Sequence, residues 1–108
     1  MAEDVAEGTF VRAASLDDVP PNALLGVEID GRRVCLANAD GRIYAFADNC
    51  THRDFPMHSG ELDDGEVECA WHGAKFEIDS GRATRLPAVK PLQTYPVKIE
   101  DGAIWVAV

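Results

Sequence analysis

An all-β fold of antiparallel strands is predicted, and two features of the sequence carry the prediction. Apolar and polar residues alternate over short segments, and no segment holds the apolar spacing of a helix for three turns. Asp-Gly pairs, which favour tight hairpin turns, recur between these segments. The chain has 108 residues and is 46% hydrophobic, enough to close one core. We therefore expect a single domain over residues 1–108.

The N-terminal half reads as a first strand followed by a three-stranded meander. Proline residues at positions 20 and 21 interrupt the chain between the first strand and the second. Asp-Gly pairs at 30–31 and 40–41 are placed where hairpins would turn. The predicted strands cover residues 8–14, 22–29, 33–39 and 42–47.

A last hairpin is predicted at the C-terminal end, with its turn at Asp101-Gly102. Val97 and Ile99 alternate on one side of that turn, and Ile104 and Val106 on the other. Residues 49–91 differ from both blocks, because glycines recur there and the segment holds all three histidines and two of the three cysteines. Residues 87–91 read as a connecting loop. We expect the chemistry of the protein to lie in 49–91.

The composition restricts the partners and the location of the chain. Its net charge of -9 and pI near 4.6 oppose binding to nucleic acid or anionic membranes and favour proteins with basic surfaces. The first eight residues carry three acids and no apolar run, so neither a signal peptide nor an anchor is expected and the protein is predicted to be cytoplasmic. Three cysteines argue against a disulfide framework and favour metal or cluster ligation.

Two Cys/His pairs form a candidate ligand set. Cys50 and His52 are followed, after sixteen intervening residues, by Cys69 and His72. Four such donors suffice for a mononuclear zinc ion or a dinuclear iron–sulfur cluster, and their spacing alone leaves both open. Zinc fingers use a Cys-x(2–4)-Cys knuckle followed by paired histidines, and that order does not occur here. A mixed pair on each loop suits a cluster that has thiolates on one iron and imidazoles on the other.

The segment CTHRDFPMHSGELDDGEVECAWHGAKF resembles the cluster-binding region of Rieske proteins, with Cys-x-His followed by Cys-x-x-His-Gly. The flanking segments IYAFADNCTH and FEIDSGRATRLPAVKPLQTYPVKIEDGAIWV are similar to soluble ferredoxins of bacterial ring-hydroxylating dioxygenase systems. This resemblance implies a Rieske fold, an antiparallel β-sandwich with a small inserted cluster-binding subdomain at about 49–91. It also implies one [2Fe-2S] cluster, with Cys50 and Cys69 on the inner iron and His52 and His72 binding the outer iron through Nδ1.

The same resemblance implies an electron carrier between a flavin-containing reductase and a terminal oxygenase, without catalytic turnover or a small-molecule substrate of its own. Two alternatives stay open. One is a Rieske-like small subunit of an NAD(P)H-dependent nitrite reductase, and the other is a zinc-stabilised interaction module.

The sequence departs from the Rieske proteins of respiratory complexes at four positions. Phe55 and Trp71 replace the cysteines of a loop disulfide, and Ala74 and Phe76 replace hydroxyl residues that donate hydrogen bonds to sulfur in that branch. Fewer donors to sulfur lower a cluster's reduction potential. We expect a value at the low end of the Rieske range, roughly -150 mV.

Three further features outside the ligand set can be explained without a functional role. Cys35 lies mid-strand and is predicted to be a buried, unreactive thiol. His58 is predicted to be a solvated loop histidine rather than a ligand. Phe55, Pro56, Met57 and Trp71 fit either an apolar collar around the cluster or ordinary packing between loops.

Overall fold

The computed structural model describes residues 10–49, 56–70, 73–85 and 90–108. Eleven short strands and two 3-10 helices make up the regular structure of these residues. The strands are β1 Phe10–Ser15, β2 Leu24–Ile29, β3 Arg32–Ala39, β4 Arg42–Ala47, β5 Glu61–Asp63, β6 Glu66–Glu68, β7 Lys75–Glu77, β8 Ala83–Arg85, β9 Thr94–Tyr95, β10 Val97–Glu100 and β11 Ala103–Ala107. The helices cover Leu16–Asp18 and Met57–Ser59. Neither helix is long enough to cross a membrane.

Two antiparallel sheets form the base of the protein. One has the strand order β1-β11-β10, and the other has the order β2-β3-β4-β9. Their facing sides enclose a core in which Val34 and Leu36 of β3 pack with Ile104 and Val106 of β11, all fully buried. The alternation of apolar residues along β3 and β11 produces this packing, because residues two apart on a strand share a face.

A third antiparallel sheet, β5-β6-β7-β8, covers the opposite face of β3 and β4. Cys35 of β3 and Phe46 of β4 pack there against Val67 of β6 and Phe76 of β7. Strand β3 therefore separates two cores, and five consecutive residues of it are buried. This second core carries the segment in which the sequence predicts the chemistry.

The hairpin turns follow the Asp-Gly pairs. Both residues of each pair have positive φ, which aspartate and glycine tolerate and a type I′ turn requires. The three predicted turns at 30–31, 40–41 and 101–102 are confirmed, and 64–65 makes a fourth that joins β5 to β6.

The all-β prediction is confirmed, as are the meander β2-β3-β4 and the hairpin β10-β11. The predicted second, third and fourth strands differ from β2, β3 and β4 by no more than two residues at either end. The first predicted strand begins at residues outside the described part, and residues 87–89 of the predicted loop also lie there. Sequence reasoning did not find the pairings of β1 with β11 and of β4 with β9, because both join distant segments.

Candidate cluster-binding site

Of the four predicted ligands, Cys69 is the one within the described residues; Cys50, His52 and His72 lie outside them. Cys69 directly follows β6 and is 1% exposed. Its backbone N–H donates a hydrogen bond of 2.7 Å to the carbonyl of Ala74, just before β7. This bond closes the loop between β6 and β7, and that loop contains His72 in the sequence.

A cavity of about 310 Å³ lies beside Cys69, and two glycines line it. Gly73 has a φ of 73°, a conformation that side chains disfavour. At Gly60 a Cβ atom would overlap the carbonyl oxygen of Glu68, so only glycine allows this close approach of the two segments. An iron–sulfur cluster needs thiolate donors and a backbone that can approach it closely. The buried thiol of Cys69 and the two glycines in the cavity wall meet both requirements. Within the ranges described, no group of three or more His, Cys, Asp or Glu residues is placed to hold a metal ion.

His58 forms a pair with Asp48, which sequence reasoning missed. Its backbone N–H donates to Asp48 Oδ1 at 2.8 Å, and its ring Nδ1 lies 2.6 Å from Asp48 Oδ2. The Asp48 side chain is 4% exposed and that of His58 is 43% exposed. The exposed side chain of His58 agrees with the prediction of a solvated loop histidine, but its pairing with Asp48 was not predicted. That His58 is not a ligand stays a prediction. The resemblance implies that His52 and His72 bind iron through Nδ1. In His58 the same ring nitrogen contacts Asp48 instead.

Cys35 is the buried thiol that the sequence predicts. It is fully buried, and burial raises its pKa far above the ordinary value, with the negative charge of Asp48 adding to the increase. The Cys35 sulfur is therefore protonated at any physiological pH, which makes it a poor nucleophile and a poor metal ligand.

The remaining predicted features divide between the core and the undescribed segments. Met57 is fully buried in the core with Cys69, so the structure favours packing over an exposed collar for this residue. Pro56 is half-buried, and Phe55 and Trp71 lie outside the described residues. Ala74 and Phe76 are fully buried in the same core as Cys69.

The surface of the third sheet is acidic. Lys75 lies 3.5 Å from Asp63, Arg85 lies 3.9 Å from Glu68 and Arg82 lies 2.7 Å from Glu77, so three of its acids have a basic neighbour. The segment 61–68 nevertheless contributes five carboxylates, namely Glu61, Asp63, Asp64, Glu66 and Glu68. The side of the molecule that carries Cys69 is thus suited to a basic protein surface.

Curated relatives match most of the chain. A ferredoxin subunit of biphenyl dioxygenase from Pseudomonas sp. (strain KKS102) is 40% identical over 91% of this chain and 91% of its own length. A ferredoxin component of naphthalene 1,2-dioxygenase/salicylate 5-hydroxylase systems from Ralstonia sp. is 39% identical over 85% of this chain and 88% of its own.

Solved structures match the fold closely. The ferredoxin of carbazole 1,9a-dioxygenase from Nocardioides aromaticivorans IC177 has a TM-score of 0.88 and 31% identity, covering 92% of this chain and 97% of that one. A chain in a complex of reduced oxygenase and oxidized ferredoxin in carbazole 1,9a-dioxygenase has a TM-score of 0.85 and 26% identity over 91% and 92% of the two chains. A chain named nitrite reductase NADPH (small subunit) has a TM-score of 0.81 and 25% identity over 93% and 99%.

The family described as Rieske [2Fe-2S] domain matches residues 9–96, which include both Cys/His pairs and all the strands except β10 and β11. This chain therefore belongs to the Rieske [2Fe-2S] domain family.

Proposed function

We propose that Cys50, His52, Cys69 and His72 hold the Rieske [2Fe-2S] cluster, with the two cysteines on one iron and the two histidines on the other. The observation that carries the proposal is the buried Cys69 beside a cavity that glycines open. A bound [2Fe-2S] cluster supplies a one-electron redox couple. The protein contributes the thiol, a dry core behind it, and the short hydrogen bond from Cys69 to Ala74 that holds the second loop.

The chain acts as a one-electron carrier of a dioxygenase system. Its relatives are named as ferredoxin components rather than as the oxygenases they serve, and a matching chain is in complex with an oxygenase. The oxygenase is its electron acceptor, and a flavin-containing reductase is its proposed donor. The acidic third sheet supports docking on basic protein surfaces.

Two further proposals concern the organisation and location of the protein. Residues 1–108 are proposed to be one domain with a cluster-binding subdomain at about 49–91, which is supported by the sheet β5–β8 lying wholly inside that range. A cytoplasmic location is supported by the odd number of cysteines, three, because disulfide frameworks are typical of oxidising compartments.

A nitrite reductase small subunit is the second candidate, because a chain of that name matches the fold at 25% identity. The dioxygenase ferredoxins match at up to 40% identity, which favours the first candidate. Reduction of a purified dioxygenase by this protein, with a nitrite reductase large subunit as the parallel acceptor, separates the two.

Metal analysis combined with two matched cysteine variants tests the ligand assignment. The wild-type protein is expected to hold two irons and two acid-labile sulfides per chain and to give an EPR signal only when reduced. Cys69→Ser should lose the native cluster, whereas Cys35→Ser, which makes the same change in the same core, should keep it. One zinc per colourless chain would end the proposal, and a complete cluster in the Cys69→Ser protein would remove Cys69 from the ligand set.

A further inference from the structure

The buried carboxylate of Asp48 contacts His58 through both of its oxygens. Both of its oxygens accept hydrogen bonds from His58, one from the backbone N–H and one from the ring Nδ1. The backbone N–H of Asp48 donates a hydrogen bond of 3.0 Å to the carbonyl of Arg33, which fixes the position of Asp48. A hydrogen bond to an ionised carboxylate is stronger than one between two neutral groups. Because the Asp48 carboxylate is buried, water competes little for its two bonds to His58.

The pair closes a loop at its base. The nine residues between Asp48 and His58 include the proposed ligands Cys50 and His52. Phe55 and Trp71 occupy the positions where the respiratory branch ties its two cluster loops by a disulfide, so this sequence lacks that cross-link. The second ligand loop is closed by the bond from Cys69 to Ala74. Each proposed ligand pair thus belongs to a loop whose two ends are joined by hydrogen bonds.

Gly26 makes the closure sterically possible. It lies on β2 opposite Cys35, and a Cβ atom there would overlap His58 Nδ1 and come within 2.7 Å of Asp48 Oδ2. Its φ is not in the left-handed region, so the site requires glycine for space rather than for backbone conformation.

We propose that Asp48, His58 and Gly26 form a noncovalent link between the two ends of residues 49–57, and that this link positions Cys50 and His52 on the cluster. His58 is a positioning residue and not a ligand. The inference rests on the proposed ligand assignment, and its test uses variants that leave all four ligands in place.

The proposal is tested with the cluster-loaded protein by following the loss of visible absorbance in excess iron chelator. His58→Ala removes the ring bond and keeps the backbone bond, and it should accelerate cluster loss roughly ten-fold or more, as expected for losing one hydrogen bond to a buried carboxylate. Gly26→Ala should act in the same direction because its Cβ displaces the ring. His58→Asn places an N–H donor near the position of Nδ1 and should restore a rate close to wild type. Thr84→Ser, at an exposed residue of β8 that does not line the cavity, is the control and should change nothing.

Amide hydrogen exchange separates positioning from general stability. In His58→Ala the amide of residue 58 should exchange faster, while the amides of β3 keep their wild-type protection. Wild-type rates of cluster loss in both His58→Ala and Gly26→Ala would overturn the proposal, and so would equal acceleration in His58→Ala and His58→Asn. Failure of the ligand assignment is recognised independently, because Cys69→Ser would then keep the native cluster or the wild-type protein would contain none.

Discussion

Restoring hydroxyl donors near the cluster should raise the reduction potential of the protein. Ala74 is fully buried, and its carbonyl receives the N–H of Cys69, so a serine at this position would hold its hydroxyl near the Cys69 loop. A neutral hydrogen bond contributes about 0.5–1.5 kcal/mol. Since about 1.4 kcal/mol corresponds to 59 mV for one electron, Ala74→Ser should raise the potential by about 20–60 mV. The sign is positive because reduction adds negative charge to sulfur, which a donor stabilises.

Phe76→Tyr should also raise the reduction potential. The change in the free energy of unfolding then shows whether the new hydroxyl has reached sulfur. Phe76 is fully buried and pairs with Val67 across β6 and β7. A tyrosine hydroxyl that finds sulfur keeps most of the stability and raises the potential. A hydroxyl left without a partner in this core costs about 1–3 kcal/mol and leaves the potential unchanged.

Direct electrochemistry of the wild-type, Ala74→Ser, Phe76→Tyr and doubly substituted proteins measures these effects. The two shifts should add if the hydroxyls reach different sulfur atoms. Unchanged potentials in variants whose crystal structures show the hydroxyls within bonding distance of sulfur would refute the reasoning. Solvent exposure or backbone amides would then determine the potential.

Three further predictions follow from the surface and the backbone. The rate of association with the oxygenase should fall as salt is added, because the chain carries a net charge of -9. Salt screens this charge, and the range of electrostatic attraction is about 8 Å at physiological ionic strength. Stopped-flow rates that do not change with salt would contradict this prediction. Gly60→Ala should destabilise the protein by about 1–3 kcal/mol and speed cluster loss, because its Cβ meets the backbone carbonyl of Glu68. Denaturant unfolding beside Thr84→Ser, at an exposed residue of β8, measures the cost, and equal midpoints would contradict it. Hydrogen bonds from Arg82, and to a smaller extent from Ser80, lower the pKa of Glu77. The stability that ionised Glu77 contributes is therefore present above the ordinary carboxyl pKa, and it is lost as the pH falls through the lowered pKa of Glu77. Arg82→Gln should therefore reduce the melting temperature at pH 7, and by less as the pH is lowered toward ~4 in samples whose visible absorbance shows that the acid-labile cluster is still bound. A difference independent of pH would contradict the assignment.

The two buried thiols show how the same residue type takes different roles in one core. Cys35 and Cys69 are both almost completely buried and pack in the same cluster of side chains. Cys35 lies in the middle of β3, with strands on both sides, whereas Cys69 follows the end of β6 and lines a cavity. Access to open space, rather than burial, therefore distinguishes the proposed ligand from the inert thiol.

Much of the fold could be predicted from the sequence because its signals are local. An Asp-Gly pair between alternating residues specifies a hairpin within a few residues, and this accounts for the meander and the final hairpin. The ligand set could be proposed for the same reason, since Cys50 with His52 and Cys69 with His72 are short motifs at a characteristic spacing. Burial of Cys35 also follows from its place within an apolar strand.

Only the tertiary structure decided which distant segments meet. The pairing of Asp48 with His58 depends on Gly26, whose strand passes beside both residues, and nothing adjacent to these three residues in the chain indicates that they touch. The close approach of Gly60 to Glu68 beside the cavity has the same origin. Turn chemistry acts over two to four residues, whereas contact between the sheets is determined by packing of the whole core, so the support of the cluster site depends on long-range packing.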